Sequence, residues 1–203
     1  MMATTHALVG VAIAALASIV APDLSLVAVL SAAAGGFFPD LDLYAGHRKT
    51  LHFPVYYAAA ALAALAMAAV SPVTPVVAGA LFLTAAAVHS LMDVAGGGLE
   101  LRPWEGTSER AVFSHYHGTW IAPRRWIRYD GAPEDLALAT VAAVPVVLAF
   151  DGPVQLGVLA LLAVSAVYVL VRKPMVLIAE WLVDRVPAPV RLHVPDRFVE
   201  DLS

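Results

Sequence analysis

The sequence predicts an all-α polytopic membrane bundle of about six transmembrane or re-entrant helices, with both termini in the cytoplasm. Composition puts the chain in lipid: of 203 residues, 61% are hydrophobic and 14% charged, and mean hydropathy is +0.80. Soluble domains carry about 25% charged residues. Apolar runs of near-spanning length recur along the chain. All twelve Lys and Arg residues then fall on one side of the threading that those runs impose.

Apolar runs cover about 5–21, 24–38, 53–70, 75–95, 135–150 and 153–171. A spanning helix needs roughly 20 residues. The third, fourth and sixth runs meet that length, and the first is near the lower limit. The second and fifth, at roughly 15 residues each, suit a tilted span or a re-entrant helix. Ala21-Pro22-Asp23, Ser71-Pro72-Val73-Thr74 and Asp151-Gly152 form tight turns on one side. The other side holds the N-terminus, the 39–52 loop, the long 96–134 loop and the tail. Arg48, Lys49, Arg102, Arg110, Arg124, Arg125, Arg128, Arg172, Lys173, Arg185, Arg191 and Arg197 all lie there. Basic residues stay in the cytoplasm, which orients the bundle in an inner or plasma membrane. A five-span count would place basic residues on both sides. The chain divides into a membrane-embedded domain, 1–172, and a tail, 173–203. Around Trp181 the tail suits either an interfacial helix or an extension of the last span.

Several classes are excluded at this level. The absence of cysteine removes disulfides, thiolate metal sites and Cys nucleophiles. A net charge of −4 without a basic patch gives no footprint for nucleic acid. The first run has neither a basic n-region nor a clear cleavage site, so it does not read as a removable signal peptide. No internal repeat suggests a two-halved transporter. Gly96-Gly97-Gly98 has no following Lys-Ser/Thr and reads as the exit from the fourth span rather than a phosphate loop.

Ionisable residues within apolar runs are costly and mark candidate sites. Four clusters qualify: His6; Pro39-Asp40-Leu41-Asp42; His47-Arg48-Lys49-Thr50-Leu51-His52; and His89-Ser90-Leu91-Met92-Asp93. Each has a structural alternative. His6 alone suits an interfacial residue, the Pro-Asp segment a capped turn, and His47 a basic loop facing anionic lipid. The threading nevertheless brings all four to one membrane face, although no His or Asp was used to set it. His89 and Asp93, four apart, share a helix face. Imidazole and carboxylate without sulfur suit Zn, Mn or non-haem Fe. The economical reading is one divalent metal with orienting partners, although the residues suffice for two. In the long loop, His115 and His117 would point to one side of an extended segment, or simply be solvated. Arg102, Arg110, Arg124 and Arg125 suit either a phosphate or lipid headgroup, or a solvated basic loop.

The order of these clusters resembles the YdjM-type inner-membrane family, described as membrane-bound metal-dependent hydrolases. Thr5-His6, Pro39 to Asp42, His47 to His52 and His89 to Asp93 carry the resemblance, over about the first half of the chain. Leu51 and Phe53 stand where the family has Thr and Ser, so a hydroxyl beside His52 is missing. The resemblance implies a metal-dependent hydrolase.

The leading functional expectation is therefore a hydrolase with its site at the cytoplasmic surface, acting on a phosphoester or lipid-like substrate from the bilayer. His6, Asp40, His47, His52, His89 and Asp93 would be metal ligands. Asp42 would be a ligand or general base, and Arg48 would stabilise anionic charge in the transition state. Two other classes stand beside it: a metal or proton transporter, and a structural or regulatory membrane protein whose loop and tail bind a partner. A transporter would distribute polar groups through the membrane depth, whereas these cluster at one face.

Overall fold

A computed structural model describes residues 1–183 and Arg185. The chain is mostly helical: α1 (Ala3–Ala17), α2 (Leu26–Phe37), α3 (Pro54–Val70), α4 (Thr74–Ala95), α5 (Pro133–Ala149) and α6 (Pro153–Val183). Between α2 and α3 the chain continues as a 3₁₀ segment, Phe38–Tyr44. Two three-residue strands, β1 (Val112–Ser114) and β2 (Thr119–Ile121), pair antiparallel with Val112 opposite Ile121.

Local chemistry accounts for the helix starts. Pro54, Pro75, Pro133 and Pro153 sit in the first turns of α3, α4, α5 and α6, where a missing N–H costs nothing and the fixed φ suits a helix. The Ser25 side chain caps α2 by accepting from the Ala28 N–H. Glu134 and Asp135 lie in the first turn of α5, where the helix dipole favours negative charge. Gly152, with φ +62°, makes the tight turn into α6.

Among the described residues, three helical segments are long and apolar enough to cross a membrane: Leu26–Tyr44, Thr74–Ala95 and Pro153–Leu182. The second apolar run thus gains its spanning length by continuing into the 3₁₀ segment. Helices α1 and α3 are apolar but shorter, with 15 and 17 residues, and α5 has 17. Leu62, Val70, Val141, Leu148, Leu156 and Leu170 are exposed; in a bilayer that outer surface is solvated by acyl chains. At the tail, α6 runs unbroken through Pro174 to Val183, so around Trp181 the chain is an extension of the last helix. The remainder of the expected 173–203 tail, residues 184 and 186–203, lies outside the described residues.

Helix α1 is central, packing on α2, α4, α5 and α6, while α4 packs on α2 and α3. The core between them is built largely from small residues: Ala12, Ala15, Ala28, Ala32, Ala139 and Ala143 around Leu8, Val11 and Leu81. Small residues let membrane helices approach closely, where packing rather than hydrophobicity drives association. The closest approaches are at glycines. A Cβ on Gly35 would run into the Phe82 carbonyl of α4, and one on Gly36 into the His6 carbonyl of α1. These glycines seat the end of α2 against the start of α1 and the middle of α4 at Phe82.

Candidate metal centre

The antiparallel packing brings the start of α1, the end of α2, the entry to α3 and the end of α4 together at one end of the bundle. All four clusters meet there. Asp40, His52, His89 and Asp93 each offer a ligand atom, and the four atoms lie within 4.8 Å of one another. His52, His89 and Asp93 are fully buried and Asp40 nearly so.

Hydrogen bonding at the far ring nitrogens fixes how the two central histidines present themselves. His89 Nδ1 lies 2.6 Å from the Gly36 carbonyl oxygen, which can only accept, so Nδ1 carries a proton. His52 Nδ1 lies 3.0 Å from Asp42 Oδ2 and is assigned a proton in the same way. In the neutral rings both Nε2 atoms then present lone pairs. They face each other at 3.1 Å. Asp93 Oδ2 stands 3.2 Å from one and 3.3 Å from the other, and Asp40 Oδ1 stands 3.5 Å from His89 Nε2. Four acceptors converge with no donor among them. Such a knot needs a cation at its centre, either protons on the imidazoles or a metal. The N and O donor set, without sulfur, fits a borderline divalent ion.

The remaining candidates surround this group in distinct positions. His6 stacks on His89 at 3.6 Å between centroids, and its Nε2 lies 3.1 Å from Asp93 Oδ1. Its Nδ1 is buried without a partner. Asp42 is buried and saturated: Oδ1 accepts from His47 Nδ1 and the Arg48 N–H, while Oδ2 accepts from the Leu51 N–H and His52. The sequence alone leaves Asp42 as ligand or general base; with both oxygens occupied, it is placed to orient His52. His47 reaches Asp42 and stands outside the four-residue group, its side chain 22% exposed. Arg48 is 6% exposed and has φ +58°, an uncommon conformation for a residue with a Cβ. Its Nη1 donates to the Gly97 carbonyl at 2.7 Å, and its Nη2 lies 3.5 Å from Asp93 Oδ1.

His52, in the loop before α3, has its pKa raised above the usual histidine range. Burial opposes the charged ring, but the carboxylates of Asp42 and Asp93 outweigh it.

The long loop folds back over this end. Phe113 N–H donates to the Arg48 carbonyl, and the N–H groups of Arg124, Arg125 and Ile127 donate to the carbonyls of Val94, Gly96 and Ala95. His115 and His117 do not converge: His115 Nε2 bonds the Lys49 carbonyl, and His117 Nδ1 pairs with Ser114 Oγ. The intervening turn, rather than an extended strand, sends the two rings apart. Arg102 is held by Glu180 and Arg125 by the Gly106 and Ser108 carbonyls.

Sequence reasoning missed two contributors. Asp135 is fully buried and accepts from Thr5 Oγ1 at 2.7 Å and from the N–H groups of Met2 and Gly131, tying α5 to α1. Its signal was available, as an acid at the mouth of an apolar run. The Met1 ammonium donates to Asp93 Oδ1 at 2.9 Å, an ordinary residue type giving no signal.

No family model matches the chain, and neither a curated protein nor a solved structure matches it.

Proposed function

We propose that this protein is a multi-pass, metal-dependent hydrolase of the cytoplasmic membrane, acting on a phosphoester or lipid-like substrate at the cytoplasmic face. The observation that carries the reading is the knot of four acceptors, Asp40, His52, His89 and Asp93, with no internal donor. These four residues would hold one divalent ion. His6 completes or orients the set through Asp93. Bound there, the ion would supply Lewis acidity and an acidified water, the requirements of hydrolysis near neutral pH.

The chain's own residues supply the rest. Asp42 holds the Nδ1 proton of His52 and so keeps Nε2 free. Gly36 does the same for His89. Arg48, fixed against Gly97, contributes positive charge beside Asp93, where an anionic transition state would develop. The loop over the site limits bulk water. Six spans with both termini cytoplasmic place this end of the bundle inside, following the Lys/Arg distribution. The ordered match to the YdjM-type motifs supports the hydrolase class.

Metal content and hydrolysis test the reading together. Detergent-purified protein is expected to contain about one equivalent of divalent metal, with His89→Ala losing most of it. It should also cleave a chromogenic phosphodiester in a metal-dependent manner. Full metal retention in His89→Ala would sink the metal centre. A loaded protein inert toward phosphodiester and acyl-ester panels would sink the hydrolase.

A further inference from the structure

A cavity of about 610 Å³ lies beside the metal centre, reached by Asp40, His47 and Arg48 on one side and walled by α6 on the other. Its volume is that of a small-molecule site. Its position follows from how α6 packs. This helix rests on α5 and α1, leaving a gap opposite the end of α2. Val164, Tyr168, Arg172, Val176 and Ala179 line the cavity from α6. Their spacing of four, four, four and three puts them on one helix face. At 1.5 Å per residue that face is about 22 Å long, so the cavity is elongated. Phe37 and Leu43 form part of the facing wall. Val164 is 55% exposed, which opens the cavity sideways into the acyl region of a bilayer.

The polar groups of the cavity fall into two kinds. Tyr168 and Arg172 are spent on each other's partner, Asp130, at 2.5 and 2.8 Å. Arg48 and Glu100 keep capacity the protein does not use. Arg48 Nε is a buried donor without a partner, and both carboxylate oxygens of Glu100 are buried acceptors without one. Buried polar atoms left unpaired are costly. Arg48 and Glu100, one cationic and one anionic, both line the cavity, and the pair calls for a ligand with an anionic acceptor and a separate hydrogen-bond donor.

We propose that this cavity holds the substrate of the metal centre, and that the substrate is a phospholipid whose headgroup carries hydrogen-bond donors. The phosphate meets Arg48, the headgroup donors meet Glu100, and the acyl chain lies along α6. Catalysis on this ligand rests on the hydrolase reading above; binding does not.

The test measures equilibrium binding to the purified protein by competition against a fluorescent lysolipid. Sixteen-carbon lysophosphatidylethanolamine and lysophosphatidylcholine share phosphate, chain and net charge, but choline lacks an N–H. The ethanolamine lipid is expected to bind at least about tenfold tighter, as expected for lost hydrogen bonds to a charged group. Glycerophosphoethanolamine and inorganic phosphate should bind at least about a hundredfold weaker, since neither fills the apolar wall. Glu100→Gln should erase the ethanolamine preference, and Val164→Trp, at an exposed position, should weaken both lysolipids. Equal affinity for the two headgroups, or an unchanged preference in Glu100→Gln, overturns the donor assignment. Inorganic phosphate binding as tightly as the lysolipid overturns the lipid assignment in favour of a soluble phosphoester. Wild-type protein stripped of metal with a chelator should still bind lysolipid within about threefold. Lysolipid binding by a protein that takes up no metal would remove the hydrolase and leave the ligand site standing. Hydrolysis of a soluble phosphodiester without lysolipid binding would do the reverse.

Discussion

Asp42 stands outside the four-residue group, bonded to His47, His52 and the N–H groups of Arg48 and Leu51, yet it sets how His52 faces that group. Its Oδ2 holds the Nδ1 proton of His52 and thereby fixes Nε2 as a lone pair facing His89. Replacing it by Asn keeps the shape but allows the amide to present N–H to Nδ1, turning the tautomer over. Metal affinity in Asp42→Asn should fall about 10–100-fold, the usual cost of losing an orienting carboxylate, with the fold retained; isothermal titration with Zn²⁺ reads both affinity and stoichiometry. Protonation supplies a second prediction. The pKa of His52 is raised, so the charged ring's bonds to Asp42 and Asp93 stabilise the metal-free protein below the ordinary value of about 6.5. That contribution is lost as pH rises through the raised value. A metal must displace the same proton. Metal affinity should therefore climb by about tenfold per pH unit until the raised pKa is passed and then level off. A flat profile between about pH 6 and 8 would show that His52 is not a ligand.

At the scale of elements, the centre depends on how closely α1, α2 and α4 approach. Gly36 permits the His6 carbonyl to touch α2 and also supplies the carbonyl that orients His89. A Cβ there meets backbone, which cannot rotate away. Gly36→Ala should destabilise the bundle by about 1–3 kcal/mol, the range for overpacking, and should lower metal occupancy with it; thermal unfolding in detergent and elemental analysis measure the two. Gly79, on α4, meets nothing within 4 Å when a Cβ is added, so Gly79→Ala serves as the matched control and should leave both unchanged. The loop between α4 and α5 acts at the same scale: three of its N–H groups bond the carbonyls that end α4. It caps a helix terminus and closes the site by the same contacts.

For the whole molecule, orientation is what links the centre to a compartment. The chain contains no cysteine, so single cysteines introduced at chosen positions can be labelled without background. On the proposed topology of six spans with both termini inside, D151C at the tight turn between α5 and α6 should react with an impermeant maleimide on intact cells. E109C, in the long loop, should react only after permeabilisation. The opposite labelling pattern would invert the molecule and place the centre outside.

Much of the architecture was legible along the chain because lipid imposes a simple rule: backbone groups must be satisfied within a helix, so apolar runs are helices. The six runs correspond to α1 through α6. Prolines and turn residues marked the connections, and the threading alone predicted that His6, Asp40, His52, His89 and Asp93 would share one end. The second run was underestimated because Pro39, Asp40 and Asp42 read as its end, whereas the chain continues in 3₁₀ form through them. Likewise His115 and His117 were spaced for convergence, but a turn separates them.

Composition and periodicity by themselves determined a helical chain suited to a membrane and the set of ionisable residues gathered at one end. They act through transfer free energy and helix geometry, which depend on residue type and spacing alone. Tertiary structure decided the division of labour within that set. It put the lone pairs of His52 and His89 face to face and left Asp42 and His47 behind them. It also opened a cavity between α6 and Arg48. Those outcomes depend on ångström-scale distances between segments far apart in sequence, set by Gly35, Gly36 and the packing of α6 on α5 and α1, and no local pattern encodes them.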